Sequence, residues 1–194
     1  MLVVKFSAIF GKKKFFMSRI GKLPVHVPEK VQVEIEGNNI TISGPYGKLE
    51  RNISTLLDIK VDEKNIILIK KINNRRTNEI YGLTRTLVNN MVIGVSQKFE
   101  KVLLLEGVGY RAQTNNNQLI LNLGYSHPVA LEIPSGIEVL IEKNTLIIIK
   151  GINKELIGQF SATIKSRRLP EPYKGKGVLY QGEIIKRKVG KSGK

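Results

Sequence analysis

Hydrophobic residues in the first half of the chain alternate with polar ones over short stretches separated by turn residues. Within residues 31–35 the apolar positions recur every second residue, which predicts a half-buried β-strand. Gly37-Asn38 is a favourable hairpin turn, and we expect the partner strand at 40–42. A second hairpin is expected from strands at 59–61 and 66–69, and the sequence before it is less regular. The pattern therefore predicts antiparallel strands joined by short turns.

The period then changes to that of an amphipathic helix. Apolar residues spaced three and four apart define one face, which comprises Ile80, Leu83, Leu87 and Met91. This spacing predicts a helix that begins near Thr77 or Asn78 and ends by Gly94.

The second half of the chain repeats the first. Segment 146–153 (LIIIKGIN) echoes segment 66–73 (IILIKKIN), and an amphipathic helix follows each of them. Asn153 is a suitable N-cap for the second helix, whose apolar face comprises Leu156, Phe160 and Ile164. Further strands are predicted at 102–105, 110–113, 118–123, 129–133 and 137–141. This internal repeat predicts an α+β fold of two similar domains, each an antiparallel β-sheet with one packed helix.

Charge is concentrated at the two ends of the chain. The formal net charge is +16. Residues 1–22 contain six basic and no acidic residues, and residues 165–194 contain ten basic and two acidic ones. The intervening residues 23–164 are nearly neutral. This distribution favours an extended polyanion as the binding partner.

Segment 170–178 (PEPYKGKGV) combines conformationally rigid prolines, conformationally flexible glycines and cationic lysines. Its two prolines restrict the backbone, and its glycines allow positive φ or close backbone approach. Two lysines lie beside Tyr173, whose ring can stack on a base or a sugar. Arg167 and Arg168 precede the segment, and an arginine can grip a phosphate through two hydrogen bonds. We expect a shaped cationic surface here rather than an active site.

No catalytic or metal-binding constellation is visible in the sequence. There is no cysteine, no P-loop and no Gly-x-Ser-x-Gly turn around a serine nucleophile. The two histidines, His26 and His127, lie near prolines and are expected in turns. Gly107-x-Gly109-x-x-Ala112 has the spacing of a dinucleotide fingerprint, but the residues after it predict a strand where a helix is required. We therefore expect no enzymatic activity, no cofactor, no small-molecule substrate and no bound metal.

Four motifs, in order along the chain, resemble the bacterial and organellar form of the large-subunit ribosomal protein L6 family. They are residues 17–22 (MSRIGK), 107–112 (GVGYRA), 122–128 (NLGYSHP) and 170–178 (PEPYKGKGV). The resemblance covers residues 17–194 and is specific because it rests on four ordered motifs. It implies two alike α+β domains that bind 23S-type rRNA near the sarcin–ricin loop and the stalk base. Neighbouring large-subunit ribosomal proteins are further implied partners.

The candidate rRNA-binding residues fall into three groups along the chain. The first lies in the C-terminal basic segment and comprises Arg167, Arg168, Tyr173, Lys174, Lys176, Lys186, Arg187 and Lys188. The second comprises Arg19 and Lys22, and the third Tyr110, Arg111, Tyr125 and His127. We expect Tyr110 and Arg111 to be offered outward, and the tail beyond Val178 to become ordered only on RNA.

These features divide the chain into four parts. We expect a disordered basic extension at 1–16, a first α+β repeat at 17–98, a second repeat with the main rRNA-binding surface at 99–178, and a basic tail at 179–194. The Ile-, Asn- and Lys-rich composition and the tail resemble plastid family members. A plastid ribosome is therefore expected, with a bacterial cytoplasm or a mitochondrion as alternatives.

Two other binding functions remain open on the sequence. An RNA-binding module that acts off the ribosome would have the same basic ends but would exchange among many RNAs. A membrane-surface protein would use the basic ends together with the N-terminal phenylalanines Phe6, Phe10, Phe15 and Phe16. A membrane-surface protein of this kind would bind anionic lipid and would lose that binding when residues 1–16 are removed. We expect no membrane association.

Overall fold

The computed structural model describes residues 20–62 and 64–191, and it shows an α+β fold. The first half contains β1 (Val25–His26), β2 (Gln32–Glu36), β3 (Asn39–Gly44), β4 (Gly47–Asn52), β5 (Leu57–Asp62), β6 (Asn65–Lys70) and α1 (Arg75–Gln97). The second half contains β7 (Phe99–Glu106), β8 (Arg111–Asn115), β9 (Gln118–Asn122), β10 (Val129–Glu132), β11 (Ile137–Glu142), β12 (Leu146–Gly151), α2 (Lys154–Arg167) and β13 (Gly177–Tyr180). The predictions for residues 1–16 and for Arg19 fall outside the described residues. Neither helix is long and apolar enough to cross a membrane.

The two halves are built on the same strand order. Strands β2-β3-β4 form an antiparallel sheet in the first half, and β8-β9-β10 form its equivalent in the second. Strands β1-β6-β5 likewise correspond to β7-β12-β11. The strands of each half are thus divided between two small antiparallel sheets. This correspondence confirms the duplicated α+β architecture.

Strand β13 is an addition to the second half. It pairs antiparallel with β7, with Val178 opposite Leu105 and Tyr180 opposite Leu103. Among the described residues no strand occupies the equivalent edge of β1. The end of the basic PEPYKGKGV segment is therefore fixed in a sheet.

Each half buries its own hydrophobic core beneath its helix. In the first half Ile40, Ile42 and Val88 are fully buried where α1 packs on the strands. In the second half the fully buried side chains include Leu103, Leu119, Ile147 and Ile164. Burial of each such aliphatic side chain contributes about 1.5–3 kcal/mol. The two cores provide rigid supports for the loops at their edges.

Both helices begin at an asparagine cap. The side chain of Asn153 accepts hydrogen bonds from the backbone N–H groups of Glu155 and Leu156 at 3.0 and 3.3 Å, which confirms the predicted N-cap. Helix α1 begins at Arg75, two or three residues before the predicted start, and it ends at Gln97, beyond the predicted end at Gly94. Asn74 caps it by accepting the N–H of Thr77 at 2.7 Å. The first turn of α1 contains two arginines and no apolar residue, so hydrophobic spacing does not mark its start.

Strand β4 was not predicted, although it pairs with β3 along its whole length. Its sequence, GKLERN, contains a single apolar residue, Leu49, which packs on the first core. Charged residues are typical of edge strands, where they oppose pairing with other chains. The hydrophobic pattern therefore does not identify a strand of this kind.

The two halves pack directly against each other. A Cβ added at Gly94 in α1 would overlap the carbonyl oxygen of Ile152, which precedes α2. The Nζ of Lys98 lies 2.8 Å from a carboxylate oxygen of Glu138, and Arg51 pairs with Glu155 at 3.0 Å. Backbone and side-chain contacts thus hold the first half to the second.

Candidate nucleic-acid interface

The backbone of the PEPYKGKGV segment closes on itself into a compact loop. The N–H of Glu171 donates to the carbonyl of Lys176 at 2.8 Å, and the N–H of Gly175 donates to the carbonyl of Glu171 at 3.0 Å. The N–H of Val178 donates to the carbonyl of Arg168 at 2.9 Å, which joins the end of the loop to the end of α2. The loop is therefore held by its own backbone hydrogen bonds.

Two glycines make this closure possible. Gly175 has φ of +72°, a backbone conformation in which a Cβ is strained. Gly177 has φ of +146°, and a Cβ there would lie 2.6 Å from the Cα of Pro170 and 2.8 Å from the carbonyl oxygen of Leu169. The close approach to Pro170 leaves no room for a side chain at Gly177.

Arg168, which follows the last residue of α2, stacks on the ring of Tyr125. Its guanidinium carbon lies 4.9 Å from the centroid of the Tyr125 ring. The side chains of Tyr125 and Tyr110 raise the pKa of Arg168 above its usual range, chiefly through hydrogen bonding by Tyr125. The Tyr125 hydroxyl also donates a hydrogen bond of 2.8 Å to the carbonyl oxygen of Arg167. The NLGYSHP turn thus orients a permanently charged guanidinium at the helix end.

Tyr110 is buried, and the expectation that it is offered outward is wrong. Only 8% of the residue is exposed, and it belongs to the core of the second half. A Cβ at Gly107 would lie 2.8 Å from its ring, and one at Gly124 would lie 3.1 Å from it. The ring therefore occupies space that two glycines leave open. Arg111, which follows it, is exposed as expected.

The basic tail lies against the loop in the structure. The N–H of Lys188 donates to the carbonyl oxygen of Pro172 at 2.9 Å. The guanidinium of Arg187 lies over Gly175, where a Cβ would come within 3.1 Å of Nη2. These contacts place residues 187 and 188 on the loop.

The cations of this surface are exposed or half-buried, and none of them forms an ion pair with an acidic residue that the structure describes. The ion pairs among the described residues involve other lysines and arginines. Six of these cations are exposed on the loop, the helix end and the tail, namely Arg167, Arg168, Lys174, Lys186, Arg187 and Lys188. Lys176 is half-buried. Their charges are therefore left for an external anion. We call this set, together with Tyr173, the loop–tail surface.

Comparison with known proteins bears directly on these motifs. The sequence matches the family model of ribosomal protein L6 in two segments, residues 27–98 and 106–181. The chain belongs to the ribosomal protein L6 family. The two matched segments correspond to the two structural repeats, and the second contains the loop.

Individual relatives match over nearly their whole length. Large ribosomal subunit protein uL6 of Dictyoglomus thermophilum is 53% identical over 92% of this chain and 99% of its own. Proteins of the same name from Trichodesmium erythraeum and a Synechocystis species are 52% and 50% identical, with the same coverage. The chain is therefore similar to this L6 protein in bacteria, including cyanobacteria.

The remaining candidates lie at different distances from the loop–tail surface. Tyr173 is exposed on the loop, and Tyr125 contacts both arginines at the end of α2. His127 is exposed in the turn that contains Tyr125. Lys22 lies in the first half, in a turn before β1. The preceding residue, Gly21, packs on the ring of Tyr81. The structure thus brings Tyr125 and Tyr110 to the arginines at the end of α2, whereas Lys22 lies in the other half.

Sequence reasoning missed an ion pair at the start of the tail. The carboxylate of Glu183 accepts two hydrogen bonds of 2.6 Å from the ammonium of Lys165, on α2. It also accepts the N–H of Tyr180 at 3.0 Å. Lys165 is therefore neutralised, in contrast to the cations of the loop–tail surface. The only signal in the sequence was an isolated acid within a basic tail.

The structure also locates the glycine pattern at residues 107–112 and the two histidines. Residues 107–110 form a turn, not the N-terminus of a helix that a dinucleotide fingerprint requires. His26 lies in β1 and His127 after β9, so they belong to different halves. No group of three or more potential metal ligands occurs among the described residues.

Proposed function

We propose that this protein is a structural component of the large ribosomal subunit and that it binds 23S-type rRNA through the loop–tail surface. The family and the uL6 relatives, whose name places them in the large subunit, support the first part. The observation that carries the second is a closed backbone loop whose exposed cations form no ion pair within the described part of the chain. The role is placement of rRNA rather than catalysis.

The loop–tail surface suits RNA because it offers several kinds of contact at fixed positions. Arg167 and Arg168 can each bind a phosphate in bidentate fashion, whereas the lysines act as point charges. Tyr173 is 54% exposed and offers a ring face for stacking on a base or ribose. Because the loop is already closed by backbone hydrogen bonds, little ordering entropy is lost when RNA binds.

We propose the sarcin–ricin loop and the base of the stalk as the rRNA region bound, with neighbouring ribosomal proteins as further partners. The absence of cysteine from the sequence permits a direct test. A single cysteine introduced as Gly190→Cys would carry an iron chelate that cleaves nearby RNA, with Glu36→Cys in the first half as the control. Cleavage from position 190 should map to the sarcin–ricin loop and stalk base. Cleavage confined to other rRNA regions would overturn this assignment.

Attachment to the subunit is tested separately by sedimentation. Labelled protein is added to large subunits that have been stripped of it by salt, and to small subunits as the control. We expect saturable binding of one copy per large subunit that persists above ~0.2 M salt, where unspecific phosphate contacts weaken strongly. Equal, salt-sensitive binding to both subunits would favour an RNA-binding module that acts off the ribosome.

We also propose that the ribosome in question is that of a plastid. The Ile-, Asn- and Lys-rich composition supports this, and cyanobacterial relatives are among the similar proteins. Organelle fractionation followed by immunodetection tests it. The protein should co-purify with plastid ribosomes, and its recovery with mitochondrial ribosomes or with a bacterial cytoplasm would reject the assignment.

A further inference from the structure

Glu183 lies where the chain leaves β13 and enters the basic tail. Its carboxylate is held by both oxygens, each 2.6 Å from the Nζ of Lys165. The Tyr180 N–H donates to one of these oxygens at 3.0 Å, so strand, helix and tail meet at one side chain. The side chains of Lys165 and Glu183 are only 18% and 29% exposed. Partial burial and two kinds of donor make this the most enclosed ion pair among the described residues.

The Tyr180 ring completes the cluster around this pair. The Nζ of Lys165 lies 4.6 Å from the ring centroid, and the Nζ of Lys101, from β7, lies 4.3 Å from it. Both ammonium groups are attracted to the electron-rich face of the ring, but their like charges repel each other. Glu183 supplies the negative charge that offsets this repulsion. The cluster therefore depends on Glu183 for its charge balance.

The course of the tail is fixed at both ends of a short segment. Glu183 anchors its start, and five residues later the N–H of Lys188 donates to the carbonyl oxygen of Pro172. Between these two points the chain carries Lys186 and Arg187, and the latter lies over Gly175 in the loop. The direction in which the tail leaves β13 thus decides whether its cations reach the loop.

We propose that Glu183 is a positioning residue for RNA binding, whose ion pair with Lys165 directs the basic tail onto the loop. This inference rests on the proposed function and extends it to a residue that touches no RNA. It has an unusual consequence, because an acidic side chain then strengthens the binding of a polyanion. A purely electrostatic account predicts the opposite, since each acid removed from a basic surface should favour phosphate binding.

The test compares two substitutions that change the net charge equally. Glu183→Gln removes the ion pair, whereas Glu171→Gln alters an exposed loop carboxylate that makes no side-chain hydrogen bond or ion pair within the described residues. Affinity for large-subunit rRNA is measured across a salt series. We expect Glu183→Gln to weaken binding about tenfold and to reduce the salt slope by about two, as tail cations leave the phosphates. Glu171→Gln should bind as tightly as the wild type or more tightly.

A second variant and a measurement without RNA separate positioning from loss of the fold. Lys165→Arg preserves the cation and should bind like the wild type. In the free protein, backbone ¹⁵N relaxation should show that residues 184–190 are as ordered as the loop in the wild type and mobile in Glu183→Gln. Unchanged amide shifts in α1 and α2 would confirm that both cores are intact.

The outcomes distinguish this inference from the function on which it rests. If Glu183→Gln binds rRNA as tightly as Glu171→Gln, or leaves the tail ordered, Glu183 has no positioning role. If the wild type itself shows no preference for large-subunit rRNA, the proposed function fails. The relaxation measurement, which needs no RNA, then still decides whether the ion pair directs the tail.

Discussion

The guanidinium carbon of Arg168 lies 4.9 Å from the centroid of the Tyr125 ring, although the two residues are far apart in sequence. The same tyrosine donates its hydroxyl proton to the carbonyl oxygen of Arg167, the last residue of α2. The final carbonyls of a helix lack partners within the helix, so this bond completes the helix end. Tyr125 is therefore a support for two arginines as well as an exposed aromatic residue.

Substitution of Tyr125 separates these two roles. Tyr125→Phe keeps the ring beneath Arg168 and removes one exposed hydrogen bond, so we expect a stability loss of about 0.5–1 kcal/mol and nearly unchanged RNA affinity. Tyr125→Leu also removes the cation–π contact with Arg168 and should therefore destabilise the protein further. RNA binding should then fall several-fold because Arg168 loses its fixed orientation. Thermal unfolding and RNA titration measure both effects, and equal RNA affinities for Phe and Leu would contradict this role.

Gly177 offers a test of the loop backbone. Gly177→Ala places a Cβ 2.6 Å from the Cα of Pro170 at a positive φ. We expect a loss of about 2–4 kcal/mol in the free energy of unfolding, from strain and overpacking together. Gly190→Ala is the matched control because a Cβ there meets no atom within 4 Å. A Gly177→Ala protein as stable as Gly190→Ala in chemical denaturation would refute the close-approach argument.

Two helical glycines should respond to alanine in opposite directions. A Cβ added at Gly158 in α2 would meet no atom within 4 Å, so Gly158→Ala should stabilise the protein by about 0.5–1 kcal/mol. Gly94 in α1 abuts the carbonyl of Ile152, so Gly94→Ala should destabilise it by about 1–3 kcal/mol and separate the halves. Denaturation curves test the signs. Stabilisation by both substitutions would mean that the halves do not pack as described.

Acid should release the start of the tail only well below neutral pH. Hydrogen bonds from Lys165, and then from the Tyr180 N–H, lower the pKa of the Glu183 carboxyl from its ordinary 4.5. A lowered pKa in the folded state means that the carboxylate stabilises the fold fully above pH 4.5, and that this contribution disappears as pH falls through the lower folded value. The Tyr180 amide shift should therefore titrate with a midpoint below 4.5. In Glu183→Gln this step should vanish, and a midpoint at or above 4.5 would contradict the ion pair.

The sequence predicted the repeated architecture well because both halves carry strong periodic signals. The spacing of Phe160 and Ile164 located the buried face of α2, and Asn153 marked its start. Strand β4 was not predicted because its sequence is mostly polar and shows no alternation of hydrophobic residues. Strand β13 was not predicted because the prolines and glycines of residues 170–177, which lead into it, indicate a loop, whereas its pairing with β7 depends on a distant element.

Two contacts of the candidate site could not be predicted from the sequence. Tyr110 was expected outside because the glycines around it suggest an exposed bend, yet Gly107 and Gly124 leave the space that its ring fills. Glu183 could not be assigned a partner because Lys165 precedes it by 18 residues and reaches it only through the packing of α2 on β13. Both cases depend on tertiary contacts that no local pattern encodes.

We propose that rRNA binds to the loop–tail surface specifically, and that net charge alone does not account for the binding. The most direct test compares two variants that each replace four cations by glutamine. One changes Lys174, Lys176, Lys186 and Lys188, and the other changes the exposed first-half residues Lys30, Lys60, Lys64 and Arg76. For binding to large-subunit rRNA, the first variant should reduce the slope of log K against log salt by about three, whereas the control should change it by less than about one. Equal losses in the two variants would show that binding follows total charge and would contradict the account.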